Sequence, residues 1–328
     1  MESTHNLKKR IKSVVNINKI TKAMELVAAT KMRRAQEIAL TSRPYAFVAL
    51  DLLANLSLLK KDIPLLMEKR KIKKVLFVLV SSDKGLAGSF NGAVFKKFEQ
   101  HMARDKEKYK TEEKFFVAVG EKSFNYLSKN NLSVLQKFSN VGDYATKEQV
   151  EPLTDFIVKG YLRGGKKWPT SNAFGVADAG WDRVIIFSMH FKSALKQEAH
   201  VRRVLPVDFD HIKETIQELV PETGKFAELI KESFGTAQDK PKFTDYLIEP
   251  SPKIVLENLT KHLLFMQLYH LILEANAAEH SARRMAMKTA SDNASELGEN
   301  LNLQYNKSRQ AGITNQIIEI TAGAESLS

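Results

Sequence analysis

The chain has 328 residues, of which 43% are apolar and none is cysteine, so disulfides, thiolate metal sites and a cysteine nucleophile are excluded. No apolar run approaches the roughly 20 residues that a membrane-spanning helix needs; the longest compact run is Val75–Val80. The net charge of +12 is densest at the start, where residues 1–43 hold ten basic and three acidic side chains. This basic segment predicts either an anionic partner or a solvated helix face.

The first segment, Leu7–Arg43, contains neither glycine nor proline, and its apolar residues recur at spacings of three and four. This pattern predicts a long helix with a narrow stripe of the coiled-coil type. The predicted stripe consists of Leu7, Ile11, Val14, Ile17, Ile20, Met24, Val27, Ala28, Lys31, Ala35 and Ile38. Pro44 predicts a kink, followed by more helix to Leu59. A basic amphipathic start is also typical of organelle transit peptides, but here the pattern continues without a cleavage-like segment.

Between Ile72 and Val207, short apolar runs alternate with helical patterns. The predicted strands are Val75–Val80, Phe115–Val119, Val134–Phe138, Val184–Met189 and an edge strand at Val201–Val207. The predicted helices are Gly92–Arg104, Lys122–Leu127 and Lys147–Leu162. Because strands alternate with helices, this region is expected to be an α/β head with a mostly parallel sheet and flanking helices.

After Pro252 a helical pattern extends from Lys253 to Ala322, with Gly298 and Gly312 as its weak points. Its predicted apolar side consists of Leu256, Leu259, Leu263, Met266, His270 and Leu273. Close helix–helix contact is predicted where small and adaptable side chains cluster. These are Ala277, Ala278, Ala282, Met285, Ala286, Met287 and Ala290. At 1.5 Å per residue this helix is expected to be on the order of 100 Å long and to project beyond the head.

Two stretches have the composition of insertions. Residues 160–180 are rich in Gly, Ser, Asn and Pro and predict a surface loop, and residues 210–239 predict two short amphipathic helices. The expected domains are an N-terminal coiled-coil helix at 1–60, an α/β head at 72–209, a connection at 210–250 and a C-terminal coiled-coil helix at 251–328.

The sequence offers no convincing catalytic constellation. Gly85-Leu86-Ala87-Gly88 follows a predicted strand and precedes a helix, where α/β folds bind phosphate, but it lacks the spacing of the known glycine motifs and also fits a tight turn. His262, His270 and His280 are eight and ten residues apart, which favours packing or surface positions over a metal site. Asp178 and Asp182 have no paired role that the sequence reveals. We therefore expect no catalytic residue, no cofactor and no metal.

Several segments resemble the γ subunit of F-type ATP synthase. The most specific is KITKAMELVAATKMRRAQ within Leu7–Tyr45, which is similar to the N-terminal helix of that family. SSDKGLAGSFN resembles the family's strand-end turn, and VIIFSMHFKSALKQ resembles a later strand. MKTASDNASEL and LQYNKSRQAGITNQIIEITAGAESL resemble its C-terminal helix. The likeness covers most of the chain outside the two apparent insertions.

The resemblance implies a rotor in the central stalk that carries torque between the proton-driven c-ring and the catalytic β subunits. The terminal helices would form an antiparallel coiled coil inside a ring of α and β subunits, and the head would contact the ε subunit and the membrane c-ring. The chain itself would be non-catalytic and would couple proton translocation to ATP synthesis or hydrolysis by rotary allostery. The expected location is peripheral, on the cytoplasmic face of the bacterial plasma membrane, without a membrane span.

Five residues match positions of this family that contact the β subunit. Met24 and Arg283 match positions beside an acidic β-subunit loop. Arg309, Gln310 and Thr314 match positions that hydrogen-bond a β-subunit catch loop, a role that suits the forked donors of Arg and the donor and acceptor groups of Gln and Thr.

The chain also departs from the family pattern. Ala87 stands where cysteine is common, Ser89 where glycine is common, and Arg284 where methionine is usual. The segments 160–180 and 210–239 are longer than the usual connections, and we expect them to enlarge the head.

Two other functions remain compatible with parts of the sequence. A basic coiled-coil protein that binds nucleic acid would show salt-sensitive affinity, but the chain lacks an aromatic or base-reading motif. A nucleotide-binding α/β enzyme is weakened by the incomplete glycine turn. The rotor interpretation predicts no nucleic-acid partner.

Overall fold

A computed structural model describes residues 3–41, 64–107, 110, 112–143, 145–164, 180–208, 249 and 251–325. Its helices are α1 (Thr4–Thr41), α2 (Phe90–Arg104), α3 (Glu121–Lys129), α4 (Lys147–Arg163) and α5 (Pro252–Glu325). Its strands are β1 (Lys74–Val80), β2 (Glu113–Val119), β3 (Val134–Phe138), β4 (Arg183–Phe191) and β5 (Gln197–Leu205). The predicted break at Pro44, the helix continuing to Leu59 and the segment 210–239 lie outside the described residues.

Chain contacts divide the molecule into two compact units. One, here called the helix-pair unit, combines Met1–Ala29 with Arg283–Ser328. The other, the sheet unit, is Thr30–Ala282. Both terminal helices contribute to both units, which no sequence signal indicated. The domain bounds expected from the sequence stay a prediction.

The sheet unit contains a five-stranded sheet in the order β3-β2-β1-β4-β5. The first four strands are mutually parallel, and β5 pairs antiparallel with β4 at the edge. The strand order reverses between β1 and β4, because chain segments β1 to β3 build outward in one direction and β4 returns to the other side of β1. The predicted α/β head with a mostly parallel sheet is confirmed. The edge strand begins four residues earlier than predicted, at Gln197.

Each sheet face has its own apolar core. On one face, Leu76 and Val78 of β1 pack with α4 and with the first part of α5. On the other face, Phe77 and Leu79 pack with α2 and α3. Because successive side chains of a strand point to opposite faces, a strand covered on both sides needs a continuous apolar run. This requirement explains the sequence Val75–Val80, in which every residue is buried.

The segment predicted as a surface loop at 160–180 is partly helical. Residues 160–163 form the last turn of α4, so that part of the prediction is wrong. Gly160 lies there because a Cβ would come within 2.0 Å of the Trp181 ring. That ring is buried and donates from Nε1 to the Ile157 carbonyl at 3.0 Å. Tertiary packing against Trp181 therefore explains a glycine that the sequence alone suggested was a loop residue. Residues 165–179 lie outside the described part of the chain.

Asp182, which had no evident role in the sequence, connects two strands. Its Oδ2 accepts hydrogen bonds from the backbone N–H groups of Lys73 and Lys74 at 3.0 and 3.1 Å. The residue is buried, with 8% of its surface exposed. The carboxylate thus satisfies the backbone donors at the start of β1 from the position just before β4.

Candidate functional site on the terminal helix pair

Polar hydrogen bonds cross the helix-pair unit near its centre. Asn18 donates from Nδ2 to Ser295 Oγ at 2.7 Å, and Ser291 Oγ donates to Asn18 Oδ1 at 2.7 Å. One turn earlier in α1, Val14 lies 3.8 Å from the position that a Cβ on Gly298 would take. Higher numbers in α1 therefore face lower numbers in α5, and the predicted antiparallel pairing is confirmed.

The buried stripe of α1 differs from the predicted one in its middle. Leu7 and Ala28 are buried as expected, but Ile17, Ile20 and Val27 are 51–59% exposed. The inward positions between them belong to Asn18 and Thr21 instead, together with the half-buried Met24 and Glu25. The seven-residue repeat that includes Leu7 and Val14 continues through Thr21 and Ala28, so one of its four positions is polar. The inward position between Val14 and Thr21 is Asn18, which is polar as well. The prediction followed apolar residues and so shifted the stripe to the adjacent positions.

Ile17, Ile20 and Val27, which were predicted to face inward, join two further residues as exposed apolar side chains of α1. Together these are Val15, Ile17, Ile20, Leu26 and Val27, each between 42% and 66% exposed. Exposed basic residues surround them on the same helix: Lys8, Lys9, Lys12, Lys19 and Lys22. A face that combines branched apolar side chains with cations suits an acidic protein surface better than water alone.

The C-terminal part of α5 is exposed over more than five turns. From 302 to 322 every described side chain is exposed except the half-buried residues 305, 308 and 311. Large apolar residues are among those that face solvent, namely Leu303, Ile313, Ile317, Ile318 and Ile320, at 49–72% exposure. A helical segment with this many exposed branched residues presents a surface typical of protein contact sites.

The five residues expected at partner contacts fall in two places on this unit. Met24 and Arg283 are half-buried, whereas Arg309, Gln310 and Thr314 are exposed along the final turns of α5. The Thr314 hydroxyl donates to the Gln310 carbonyl at 3.0 Å, so its oxygen lone pairs remain available to accept. The structure places all five on the surface or seam of one unit, and their contacts with a partner stay a prediction.

The glycine turn after β1 has a carboxylate where a phosphate would lie in many α/β folds. Asp83 accepts from the backbone N–H of Glu121 at 3.1 Å and from that of Asn140 at 3.0 Å. Glu121 opens α3, so the Asp83 side chain occupies the anion position at this helix N-terminus. Asp83 thereby connects the ends of β1, β2 and β3, a role that the sequence did not reveal.

The first half of α5 is enclosed by the sheet unit. From Leu263 to Ser281 every side chain is buried except the half-buried Phe265. Polar side chains connect this stretch to neighbouring loops: Asn276 donates to the Val141 carbonyl at 2.9 Å, and Ser281 Oγ donates to the Ala194 carbonyl at 2.7 Å. These contacts connect α5 to the loop that follows β3 and to the turn between β4 and β5.

A buried ionic cluster also connects α5 to the sheet. Glu274 Oε2 lies 3.0 Å from His190 Nδ1 and 3.4 Å from Arg202 Nη1, and all three side chains are at most 10% exposed. His190 also stacks near His200, with ring centroids 4.9 Å apart. Sequence reasoning missed the cluster because its members lie on three different elements. An acidic residue in the middle of an otherwise apolar helical stretch was the available signal.

The three histidines of α5 do not form a metal site. His270 and His280 are 1% exposed, while His262 is exposed. His280 Nε2 lies 3.6 Å from Asp143 Oδ1, and Lys31 lies 2.7 Å from the same oxygen. Across the described ranges, no three His, Asp or Glu side chains are grouped as metal ligands.

Within those ranges, no helix is long and apolar enough to cross a membrane.

Comparison with known proteins gives a consistent result. The family described as ATP synthase matches residues 3–327. An ATP synthase gamma chain of Roseiflexus castenholzii is 32% identical and is covered over 99% of its length by 100% of this chain. That of Opitutus terrae is 35% identical, with 98% of both chains covered. The chain belongs to the ATP synthase gamma chain family.

Solved structures share the fold at lower identity. A chain of the Euglena gracilis mitochondrial ATP synthase, from the OSCP/F1/c-ring structure in rotational state 3, has 14% identity and a TM-score of 0.58. The comparison covers 99% of this chain and 94% of that one. A chain from the central stalk and c-ring of the Tetrahymena thermophila enzyme has 20% identity and a TM-score of 0.52, over 83% and 99% of the two chains. The two long terminal helices and the sheet are thus a shared architecture.

Proposed function

We propose that this family member is the rotor of an ATP synthase central stalk and is not catalytic by itself. In this role it carries torque between a proton-driven membrane c-ring and the β subunits, and so couples proton translocation to ATP synthesis or hydrolysis. The observation that carries the proposal is the contrast along α5. Its stretch Leu263–Ser281 is enclosed by the sheet unit, and residues 302–322 present exposed apolar side chains.

The enclosed stretch supports the mechanical part of the proposal. A helix that transmits torque must not slip in its mount, and side chains buried on every side resist rotation because interiors are close-packed. The Glu274 cluster and the hydrogen bonds of Asn276 and Ser281 add directional contacts at specific angles. Buried polar groups have few alternative partners, so a rotated helix would leave them unsatisfied.

The exposed stretch supports the choice of partner. Arg309 has no ion-pair partner among the residues that the structure describes, and Gln310 and Thr314 lie beside it. We propose that these three contact a loop of a β subunit, and that Met24 and Arg283 contact an acidic β-subunit loop lower on the pair. An asymmetric shaft with such contacts stabilises a different β conformation at each angle, which is the differential interaction that allostery requires.

The remaining partners follow from the same assignment. The sheet unit is proposed to contact the ε subunit and the c-ring, while α and β subunits surround the helix pair. The complex is membrane-bound, and this chain is proposed to lie at the cytoplasmic face as a peripheral subunit. The titles of the similar Tetrahymena and Euglena structures name a c-ring together with the central stalk or F1.

Reconstitution with partner α and β subunits tests the proposal. The complete chain is expected to form a complex that hydrolyses ATP, whereas the isolated chain has no ATPase activity. With the c-ring and stator present, hydrolysis should drive proton uptake into vesicles. Truncation after Gln304 should weaken that proton pumping per ATP hydrolysed. A chain that hydrolyses ATP alone, or a truncated chain with undiminished coupling, would contradict the proposal.

A further inference from the structure

A second surface feature lies within the sheet unit. It is a cavity of about 720 Å³ between the C-terminal end of α2, the first residue of β4 and the edge strand β5. Ligand pockets in proteins commonly have volumes of about 300–1,000 Å³, so the cavity has the size of a small-molecule site. None of the roles derived above for the terminal helices uses it.

The cavity is strongly basic. Four of its lining side chains are permanently cationic, namely Lys97, Arg104, Arg183 and Arg203, and two are the imidazoles of His101 and His200. Asp105 is its one acidic lining residue. Asp105 lies 3.4 Å from Arg104 and 3.7 Å from His101, so it offsets charge mainly at that end. The other cationic side chains leave the cavity with an excess of positive charge, which attracts anions.

Part of this positive charge is not neutralised by an acidic side chain among the described residues, as Arg183 shows. Its Nε is buried and has no hydrogen-bond partner among the described residues, and Ile185, two residues further along β4, is also buried. Lys97 is exposed on α2 and, like Arg183, has no ion-pair partner among the described residues. A buried guanidinium nitrogen is ordinarily hydrogen-bonded, so an unsatisfied one that lines a cavity indicates a missing acceptor.

We infer that this cavity binds a small polyphosphate anion, with Arg183 and Lys97 as its principal ligands. The planar guanidinium of Arg183 matches two phosphate oxygens, and the flexible Lys97 side chain supplies a second, compact positive charge. Arg104 and Arg203 also line the cavity, the latter 3.3 Å from Asp208, and add to the local potential. A phosphate group fits better than a carboxylate because it offers more acceptor oxygens and more charge in the same volume.

Calorimetric titration of the full-length isolated chain with inorganic pyrophosphate tests the inference, since the isolated chain carries no partner nucleotide sites. We expect saturable binding in a low-salt buffer. Arg183→Ala and Lys97→Ala should each raise the Kd at least tenfold, and Arg183→Lys should fall between Arg183→Ala and the unaltered chain. The matched controls are Arg34→Ala on α1 and Lys159→Ala on α4, whose side chains are more than 60% exposed. Each removes one exposed cation and should change the Kd less than twofold.

The opposite results would overturn the inference. Absence of binding at millimolar pyrophosphate would exclude the site. Equal losses in the control variants would show that the whole basic surface attracts the anion, and equally tight binding of citrate would exclude a preference for phosphate. Because Lys97 is exposed, Lys97→Ala is expected to keep the fold even if Arg183→Ala does not, which circular-dichroism melting of each variant will establish.

Discussion

Asn18 donates a hydrogen bond to Ser295 across the helix-pair unit at 2.7 Å, at a step of the repeat where an apolar residue is usual. Its Oδ1 accepts from Ser291 at the same distance, so both ends of one amide are used. A single polar residue in a coiled-coil seam selects one register at a cost in stability, because any slipped register leaves it unsatisfied. We conclude that Asn18 sets the axial alignment of α1 and α5.

Single and double variants of Asn18 and Ser291 should reveal the coupling energy between these two side chains. Asn18→Ala and Ser291→Ala are each expected to reduce the free energy of unfolding by about 1 kcal/mol, and the double variant by less than their sum. Chemical denaturation of the four chains measures the coupling energy. Ile17→Ala is the control, since that side chain is half exposed and its loss should change stability by less than about 0.5 kcal/mol. Strict additivity of the two changes would contradict the register role.

Gly120 should tolerate no side chain. Its φ is +91°, and a Cβ would come within 2.2 Å of the Ser81 carbonyl oxygen. Gly120→Ala is therefore expected to destabilise the protein by about 3 kcal/mol or more, through both strain and displacement of β1. Gly92→Ala is the matched control, because Gly92 lies in α2 with nothing within 4 Å of a new Cβ. That variant should raise stability by about 0.5–1 kcal/mol, and thermal melting distinguishes the opposite signs.

Replacing Glu274 alone should destabilise the protein more than replacing Glu274 and Arg202 together. Glu274→Gln removes the buried carboxylate that lies 3.4 Å from Arg202 and 3.0 Å from His190, and is expected to lower stability by about 3 kcal/mol. The double variant Glu274→Met and Arg202→Met should recover most of that loss, because both charges of the pair are replaced by apolar side chains of similar size. Denaturant melts of the three chains check this order. If the double variant is as unstable as Glu274→Gln, packing rather than charge dominates.

The Lys31–Asp143 ion pair should make stability pH-dependent in the acidic range. Burial acts to raise the pKa of Asp143, but the hydrogen bond and charge of Lys31, with His280 and Lys84, lower it below its usual value. A depressed carboxyl pKa contributes stability that is present above the unfolded pKa and is lost as the pH falls through the folded one. Lys31→Met should therefore cost stability at pH 7, by less than about 1 kcal/mol because the pair is partly exposed.

The same variant should make little difference once Asp143 is protonated. Melting temperatures of the two chains, measured from pH 7 downward, are expected to converge as the carboxyl group gains its proton. A constant difference across that range would show that Lys31 acts through its hydrocarbon chain. Lys159→Met, which removes an exposed cation from α4, serves as the comparison.

The exposed end of α5 offers the functional test. Arg309→Ala is expected to reduce ATP hydrolysis by the reconstituted complex about tenfold, since a hydrogen bond to a charged group contributes about 1.5–3 kcal/mol. Thr314→Val should have a smaller effect, because its hydroxyl already donates within the helix. Thr321→Val is the matched control, as Thr321 makes the same bond to Ile317 nearer the end of the helix. Equal activity of Arg309→Ala and Thr321→Val would remove Arg309 from the contact.

Local patterns in the sequence determined the elements and the family. The apolar run Val75–Val80 requires a strand covered on both faces, and the unbroken helical pattern from Lys253 onward predicted α5, which continues through Gly298 and Gly312 without interruption. The sequence did not reveal the role of a residue where that role depends on a distant part of the chain. Asp182, Gly160 and Glu274 act through Lys73, Trp181 and Arg202, and no spacing in the sequence reveals those partners.

The seam of the helix pair shows the same difference between what the sequence pattern reveals and what depends on distant contacts. The sequence by itself determined that α1 has a coiled-coil repeat, because a seven-residue pattern follows from the helical period. Only the tertiary structure decided which residues occupy the seam, since Asn18 is inward only because Ser291 and Ser295 satisfy its amide. With that position taken, Ile17 and Ile20 lie outward as apolar surface. Hydrophobic periodicity is a local property of the sequence, whereas the polar contacts of Asn18 form only when two segments far apart in the chain meet.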